Sequence, residues 1–486
     1  MSRSALLVLL AGCAAAPAGS DGPLAPLHRT LDLAIGEAAD AQVGGRLVRV
    51  VLLALRERVD AVNGAVRHAE VDVEFDGRRA TIASGNYQLP AAVGGVQIDC
   101  PITKGYLAKT RLDVWGLRKD ARIRLWPAGS PWIEPGTFGY PARQRWFASS
   151  THMANEPVYV DGGDTPGKKE IYYHWGLDIG GAEGLVEVVS ATDGLVVSSG
   201  LDVLPEHARD TPVKKRYDVV YLLDRRGWYY RYSHLKTIEP EIRPGARVRL
   251  GQRIGLLGKE GGSGGWSHLH FDITARQPSG EWGIEEGYAF IWEAYDREHP
   301  RDLVAVARPH ALAWTGETVT LDGSRSHGRG LRHAWTFGDG STAVGPRVER
   351  AYAKAGSYAE LLKVVDEAGR ADYDVAVVQV CDREGKPPPT IHAAYAPTFG
   401  IRAGDPVTFK VRTFRDTEGG ETWDFGDGTP PVRVTSDGNR AQHAPDGYAE
   451  AVHRYAKPGI YIATAERVNA SGVKAVARLV VHVLSN

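Results

Sequence analysis

Three short segments in the middle of the chain bring histidines together with residues that support metal binding or proton transfer. They are YYHWGLDIG at 172–180, WYYRYSHL at 228–235 and GGSGGWSHLHFDI at 261–273. Imidazole and carboxylate groups are common zinc ligands, and imidazole also carries protons near neutral pH. These residue types predict one chemical site built from segments that are far apart in the sequence.

The third segment contains two histidines, His268 and His270, in a stretch that is typical of a β-strand. Residues two apart in a strand share a face and lie about 7 Å apart, so both rings can reach one site. The glycines before them allow the backbone to approach its neighbours closely and keep a groove open. The residues alone do not decide which of the two histidines would bind a metal ion.

The first segment contains His174 and Asp178, which also share a strand face. A straight strand would separate them by about 13 Å, whereas the ligands of one zinc ion lie about 2 Å from it. The chain must therefore bend between them, and Gly176 is the residue that permits the bend. Two histidines and one carboxylate leave a fourth position free, which is typical of a catalytic zinc site.

Each segment on its own also fits a structural role. An HxH pair can lie on a solvated face, and an HxxxD match is common by chance. Trp228, Tyr230, Tyr232 and His234 share one strand face, a pattern that is typical of a core aromatic stripe. Only the combination of the three segments favours a site.

That combination resembles the LytM/lysostaphin-type zinc endopeptidases, a family of peptidoglycan DD- and glycyl-endopeptidases. The matching motifs are HxGxD, YSHL, and GQRIGLLGKEGGSGG leading into HLHFDI, together with ATDGLVV at 191–197. The resemblance implies an antiparallel β-sheet core. It also implies that His174, Asp178 and His270 ligate one Zn²⁺, and that His234 and His268 form the catalytic pair.

The resemblance implies that His268 acts as general base and that His234 stabilises the oxyanion or assists the leaving amine. The expected substrate is the peptide part of bacterial peptidoglycan, and the bond that is cut stays open. There is no HExxH motif, so a glutamate-based mechanism is not supported. Two alternatives are a non-enzymatic, peptidoglycan-binding envelope scaffold and a peptidase that acts on glycine-rich proteins.

One further candidate is Asn155 in the stretch MANEP at 153–157. Some related latent enzymes occlude zinc with an upstream asparagine, so Asn155 is a candidate plug. A plain loop asparagine is the alternative.

The elements that must position these residues belong to a longer β-rich chain. A length of 486 residues predicts three to four domains, and 57 glycines with many β-branched residues favour an all-β multidomain fold. The predicted units are a lipoprotein signal peptide at 1–13, a flexible tether at 14–28, an N-terminal β domain at 29–147, the zinc peptidase domain at 148–297, two further domains at 303–381 and 390–486, and a linker at 382–389.

The N-terminal β domain is predicted to be sandwich-like. Residues 70–75 alternate with period two, Asp76-Gly77 predicts a hairpin turn, and the pattern resumes at 80–83. The stretch 124–141 contains too many prolines for a central strand and is predicted to be an ordered connector.

The last two domains form an internal repeat. WTFGDGS at 335–341 recurs as WDFGDGT at 423–429, and YAKAGSY at 352–358 recurs as YAKPGIY at 455–461. The two offsets, 88 and 103 residues, place a polar insertion of 15 residues in the second copy. The repeats resemble PKD domains, which are immunoglobulin-like β-sandwiches. The resemblance implies spacers or weak binders of protein or polysaccharide.

The first 13 residues combine a positive start, the apolar run ALLVLL and the sequence LAGC. They resemble a bacterial lipobox, which implies cleavage before Cys13 and lipidation of its thiol. The expected location is exported and lipid-anchored to the bacterial cell envelope, on the periplasmic or outer-surface side. An ordinary signal peptide that contains a cysteine is the alternative.

The charge balance and the cysteines complete the sequence-based expectations. Lys and Arg number 58 against 59 Asp and Glu, so no affinity for nucleic acid is expected. Cys100 and Cys381 are expected to be buried and unpaired, because they fall in different predicted domains.

Overall fold

The computed structural model describes residues 22–485, except 63, 86, 109, 111–112, 147, 150–151, 154–156, 160–170 and 386. Cys13 and Asn155 therefore lie outside the described residues. The described chain is nearly all β, with short helices only at 104–107, 205–207 and 288–298. No helix in this part of the chain is long and apolar enough to span a membrane. The all-β fold class is confirmed.

The N-terminal domain is one curled sheet. Its elements are β1 (Arg29–Leu33), β2 (Ala38–Val43), β3 (Arg46–Val59), β4 (Val66–Phe75), β5 (Arg78–Ser84), β6 (Ala91–Val93), β7 (Val96–Thr103), α1 (Lys104–Leu107) and β8 (Ala121–Pro127). The order is β1-β8-β7-β5-β4-β3-β2, with β6 on β7, and β1 and β2 at the two ends also lie in contact. Asp76 and Gly77 both have positive φ, as the predicted hairpin turn requires.

The prediction for residues 124–141 was wrong at its start. Residues 124–127 belong to β8, which lies between β1 and β7. Pro127 is the last residue of the strand, where a missing N–H interrupts no further ladder bond. The residues that follow are ordered, and Ile133, Phe138 and Tyr140 are buried in the core of the next domain.

The middle domain contains two sheets and a helix. Its elements are β9 (His152–Met153), β10 (Pro157–Tyr159), β11 (Ile171–Tyr173), β12 (Leu177–Gly180), β13 (Glu187–Val189), β14 (Gly194–Ser199), β15 (Asp202–Val203), a 3₁₀ turn (Pro205–His207), β16 (Val220–Leu223), β17 (Tyr229–Ser233), β18 (Leu235–Ile238), β19 (Arg247–Val248), β20 (Arg253–Leu257), β21 (His268–Arg276), β22 (Trp282–Ile284) and α2 (Tyr288–Glu298).

The larger sheet has the order β15-β14-β16-β17-β21-β12-β9, with β19 on β14 and β22 on β21. The smaller sheet has the order β13-β20-β18, and β10 pairs with β11. All pairings in this domain are antiparallel. Trp228, Tyr230 and Tyr232 are buried in the core, as expected for an aromatic stripe.

The two repeats are β-sandwiches whose sheets are joined. Their strands are β23 (Ala311–Trp314), β24 (Thr318–Asp322), β25 (Arg332–Thr336), β26 (Thr342–Val344), β27 (Arg347–Ala351), β28 (Gly356–Val365), β29 (Ala371–Cys381), β30 (Thr390–Ala396), β31 (Val407–Phe414), β32 (Glu421–Asp424), β33 (Val432–Val434), β34 (Ala449–His453), β35 (Gly459–Val468) and β36 (Lys474–Val483).

One sheet runs through both repeats in the order β23-β29-β28-β36-β35-β32-β33. The junction is a short parallel pairing of Gly356 with Lys474 and of Ser357 with Ala475. Trp335 and Trp423 occupy equivalent, fully buried positions. Cys100 and Cys381 are both buried, as predicted.

Candidate active site

Strand β21 is the element that organises the site. It lies between β12 and β17, and its register places His270 directly opposite Asp178 on one side and opposite Ser233 on the other. Because side chains alternate along a strand, His268, His270 and Asp272 share one face of β21. Asp178 and His270 therefore meet across a ladder, without any distortion of either strand.

His174 reaches the same point from outside the strand. It precedes β12, and Gly176 between them has a φ of +71°. A Cβ at position 176 would lie 2.5 Å from the carbonyl oxygen of Phe271, so a side chain is excluded there as well as disfavoured by the backbone. The bend that the sequence predicted at Gly176 is confirmed.

The structure brings His174, Asp178 and His270 into one cluster. Nε2 of His174 lies 3.1 Å from Nδ1 of His270 and 3.2 Å from Oδ1 of Asp178. Nδ1 of His270 lies 2.9 Å from the same Oδ1. All three side chains are buried. Three donor atoms thus converge on one point.

This donor set fits a metal ion. The donor atoms of a tetrahedral zinc site with bonds of about 2.0–2.1 Å lie about 3.3 Å apart, close to the separations found here. His270 also presents Nε2 to Oδ2 of Asp272 at 3.1 Å. A ring that donates its Nε2 proton to a carboxylate leaves Nδ1 unprotonated, which is the state a metal ligand needs. Among the described residues, this is the group that could hold a metal.

The electrostatics of the cluster favour an ionised Asp178. Burial alone would raise the pKa of its carboxyl group, but His174 and His268 outweigh this and hold the pKa well below its usual range. Burial also opposes protonation of His270, yet the neighbouring carboxylates of Asp178 and Asp272 raise the pKa of that ring. The ionised carboxylate of Asp178 therefore supplies a negative charge that attracts a cation.

His268 lies beside the cluster and has a defined tautomer. Its Nδ1 donates to the carbonyl oxygen of Trp266 at 3.0 Å, and its Nε2 lies 3.5 Å from Oδ2 of Asp178. Burial lowers the pKa of His268. The ring is therefore neutral near pH 7 and presents an unprotonated Nε2 to the cluster.

His234 lies at the junction between β17 and β18, with a φ of +67° that is uncommon for a residue with a side chain. Its backbone N–H donates to Oδ2 of Asp218 at 2.9 Å, and its Nδ1 donates to the carbonyl oxygen of Glu260 at 2.6 Å. Its ring centroid is 4.6 Å from that of His268. Burial lowers the pKa of His234 to about 3.

The structure thus brings together all five residues that the sequence singled out. The sequence interpretation missed two carboxylates that hold them. Asp272 was within reach of that interpretation, because it follows His270 by two residues in the same strand. Asp218 carried no signal, since only the fold brings it to the backbone of His234, where Arg216 pairs with it.

The comparisons with known proteins agree with this geometry. Residues 172–280 match Peptidase family M23, and all five residues fall inside the match. Residues 303–380, the first repeat, match the PKD domain. The chain is therefore a multidomain protein with an M23-type peptidase domain. More particularly, it combines that domain, of the LytM type, with a PKD domain at residues 303–380.

Similar solved structures include the fibronectin(III)-like modules of CbhA from Clostridium thermocellum. These modules are 14% identical, and the match covers 37% of this chain and 93% of that one with a TM-score of 0.15. Another is SGBP-B of the mixed-linkage glucan utilization locus of Bacteroides ovatus. It is also 14% identical, with 38% and 48% covered and a TM-score of 0.17. Scores this low carry no argument about function.

Proposed function

We propose that this protein is a zinc-dependent endopeptidase that cleaves peptide bonds of bacterial peptidoglycan from a lipid-anchored position in the cell envelope. The observation that carries the proposal is the convergence of His174, Asp178 and His270 on one point, with His268 and His234 beside it. The match to Peptidase family M23 supports the peptidase class. The choice of zinc follows from the donor set of two imidazoles and one carboxylate.

In this proposal His174, Asp178 and His270 would hold one Zn²⁺. When bound, zinc would supply a Lewis acid for the nucleophilic water and for the scissile carbonyl. His268 accepts the proton of the water at Nε2, because its Nδ1 proton is held by the Trp266 carbonyl. Asp272 keeps His270 in the ligand tautomer throughout.

The geometry sharpens the role expected for His234. Burial keeps its ring neutral near pH 7, and its one proton is on Nδ1, donated to Glu260. Nε2 is then an acceptor, so His234 can orient the water or receive a proton. It donates to the oxyanion or to the leaving amine only after it has gained a proton.

The first experiment uses protein lacking residues 1–13, loaded with zinc and incubated with purified peptidoglycan. Mass spectrometry of the released peptides identifies any bond that is cut. A His268→Ala variant and a chelator serve as controls. New cleavage that both controls abolish supports the proposal and names the bond.

Other outcomes separate the alternatives. Bound zinc without cleavage of peptidoglycan, but with cleavage of a glycine-rich protein, would move the proposal to the second substrate class. Bound zinc and retention on peptidoglycan without any turnover would favour the envelope scaffold. Absence of both zinc and cleavage would refute the metal site.

Anchoring and binding partners are part of the same proposal. Lipid on Cys13 would attach the protein to the membrane, and the repeats would bind polysaccharide or protein of the envelope. A Cys13→Ala variant of the full precursor should move from the membrane fraction to the soluble fraction. If it stays with the membrane, the lipid anchor is refuted.

Asn155 is a separate candidate, proposed to occlude the zinc. An Asn155→Ala variant with unchanged activity and zinc accessibility would refute that role.

A further inference from the structure

The insertion that distinguishes the second repeat packs on the glycine-rich loop before His268. We define the glycine loop as residues 261–267 and the insertion segment as residues 437–448. Nδ2 of Asn439 donates to the carbonyl oxygen of Gly264 at 3.0 Å, and Nε2 of His443 donates to that of Gly261 at 2.9 Å. The insertion segment thus closes over the loop that delivers one member of the catalytic pair.

Arg412 of β31 forms hydrogen bonds with both segments. It is fully buried and donates to the carbonyl oxygen of Gly265 at 2.9 Å. It also forms a bidentate pair with Asp437 at 2.8 and 2.7 Å. Two further bonds reach the carbonyl oxygens of Ala441 at 2.8 Å and of Gln442 at 3.0 Å. A buried guanidinium with its donors satisfied in this way holds its neighbours in one arrangement.

The contacts continue to the two residues that immediately precede His268. The indole of Trp266 stacks on Phe414, with ring centroids 4.1 Å apart and an interplanar angle of 4°. The backbone N–H of Ser267 donates to the hydroxyl oxygen of Tyr448 at 2.8 Å. The second repeat therefore contacts the side chain of Trp266 and the N–H of the Trp266–Ser267 peptide unit. The carbonyl of Trp266 is the group that fixes the Nδ1 proton of His268.

The hydroxyl of Tyr448 is itself fixed by a directional network. It donates to Nδ1 of His392 at 2.8 Å, and Nε2 of His392 donates to Oγ of Ser149 at 2.8 Å. Oγ of Ser149 in turn donates to the carbonyl oxygen of Ala393 at 3.1 Å. Only this direction of donation satisfies every member, and it leaves the Tyr448 oxygen as the acceptor for Ser267.

We propose that the second repeat is part of the catalytic centre, with Tyr448 and Phe414 as positioning residues for His268. They act through Trp266 and Ser267, whose peptide unit holds the imidazole in the tautomer and orientation a general base needs. This inference rests on the proposed function, since it assigns a source to the geometry of the proposed base. It replaces the expected role of the second repeat as a spacer.

The test uses the zinc-loaded full-length mature chain and four variants. Tyr448→Phe removes one hydroxyl, Phe414→Ala removes the stacked ring, and Phe414→Tyr keeps that ring as the conservative rescue. Tyr461→Phe is the matched control, because it removes a hydroxyl of the same repeat that donates only to the carbonyl oxygen of Lys457. The readouts are zinc content, amide hydrogen exchange of residues 261–270, and kcat and KM on soluble cross-linked peptidoglycan fragments.

We expect Tyr448→Phe and Phe414→Ala to bind zinc normally, to exchange faster at 261–270, and to lose about 10-fold to 100-fold in kcat with little change in KM. Phe414→Tyr and Tyr461→Phe should match the wild type. Unchanged exchange at 261–270 in both variants would refute the inference, as would faster exchange with an unchanged kcat. A rise in KM with an unchanged kcat would refute it as well, because that result would mean that the residue contacts the substrate and does not position His268.

The design also separates the two proposals. If the wild type binds zinc but cleaves no peptidoglycan fragment, the proposed function fails on that readout. Hydrogen exchange still decides the positioning claim in that case, since protection of the glycine loop is measured without substrate. Equal exchange in wild type and variants would then refute the claim independently.

Discussion

The two repeats share a core and differ in what they contact. Trp335 and Trp423 are both fully buried, and Asp339 and Asp427 accept equivalent turn hydrogen bonds from Ser341 and Thr429. These aspartates are structural turn residues in both copies, as their Gly-Asp-Gly setting suggests. The shared residues build the sandwich, so the functional difference must come from elsewhere.

The repeats differ in the insertion, which only the second carries, and in the domain that each one packs on. The first repeat packs on the N-terminal domain, where Leu312 and Cys381 contact Val62 and Ala65. The second repeat carries the insertion segment and packs on the glycine loop beside His268. One sandwich framework thus supports an interdomain contact in one copy and a contact with the candidate active site in the other.

Removing the core tryptophan should damage both copies equally in stability. Trp335→Ala and Trp423→Ala are each expected to lower the free energy of unfolding of their repeat by about 3–5 kcal/mol, measured by denaturant titration. Only Trp423→Ala should also increase hydrogen exchange at 261–270. Equal exchange at 261–270 in the two variants would contradict the division of roles.

Removing a buried arginine should separate the copies. Arg412→Ala leaves Asp437 and three carbonyl oxygens without their donor, and we expect a loss of about 3 kcal/mol or more. Arg347→Ala in the first repeat is the control. Its guanidinium is 66% exposed in an ion pair with Asp322, so its loss should change stability by no more than about 0.5 kcal/mol. Comparable destabilisation by the two variants would show that Arg412 does not fasten the insertion segment.

Two glycines with nearly the same backbone conformation have different surroundings in the two repeats. Gly265 and Gly340 have φ values of +88° and +83°. A Cβ at Gly265 would lie 2.2 Å from Oδ1 of Asn439, whereas a Cβ at Gly340 meets no atom within 4 Å. Gly340→Ala should cost about 1–2 kcal/mol from the left-handed backbone alone. Gly265→Ala should cost about 1 kcal/mol more than that, because of overpacking. The measurement is the thermal unfolding of both variants. Equal destabilisation would mean that Asn439 moves away from the added Cβ at no measurable loss of stability.

A pH dependence of stability is also expected from a buried histidine of the second repeat. Burial lowers the pKa of His392 to about 3, and the charged or titratable groups near it are His268, Arg412 and Tyr448. The unfolded chain therefore binds the extra proton between about pH 6.5 and 3. The stabilisation is complete above that window and is lost as the pH falls through it.

The measurement is the denaturant midpoint at pH 7, 6 and 5. The wild type should lose stability below pH 6.5 by up to about 1.4 kcal/mol per pH unit. His392→Val introduces the residue type found at the buried Val304 of the first repeat. This variant should start from a lower stability and show a smaller slope than the wild type. An identical slope in the two proteins would exclude His392 as its source.

Much of the candidate site could be predicted from the sequence because each of its three motifs is local and their combination resembles one family. The HxH spacing places two rings on one strand face, and Gly176 permits the bend that brings His174 towards Asp178. The repeats were visible because their turn and core motifs recur. Alternation also located the hairpin at Asp76-Gly77.

The remaining features depend on contacts between distant segments. No local pattern pairs Asp218 with the backbone of His234, or Tyr448 with Ser267. The strand at 124–127 was missed because the prolines that follow it dominated the interpretation, although only the last strand position is proline. The insertion of the second repeat was predicted, but its contact with the glycine loop was not, since a polar loop alone does not indicate what it will contact.

The parallel junction between β28 and β36 has a consequence for how such a chain can be recombined. One sheet crosses from the first repeat into the second, so the two repeats are joined by backbone hydrogen bonds as well as by the linker. An exchange of the second repeat for a foreign sandwich would have to preserve the edge at Gly356–Ser357 and the surface that meets the glycine loop at once. The peptidase domain and both repeats are therefore expected to be inherited and transplanted as one block.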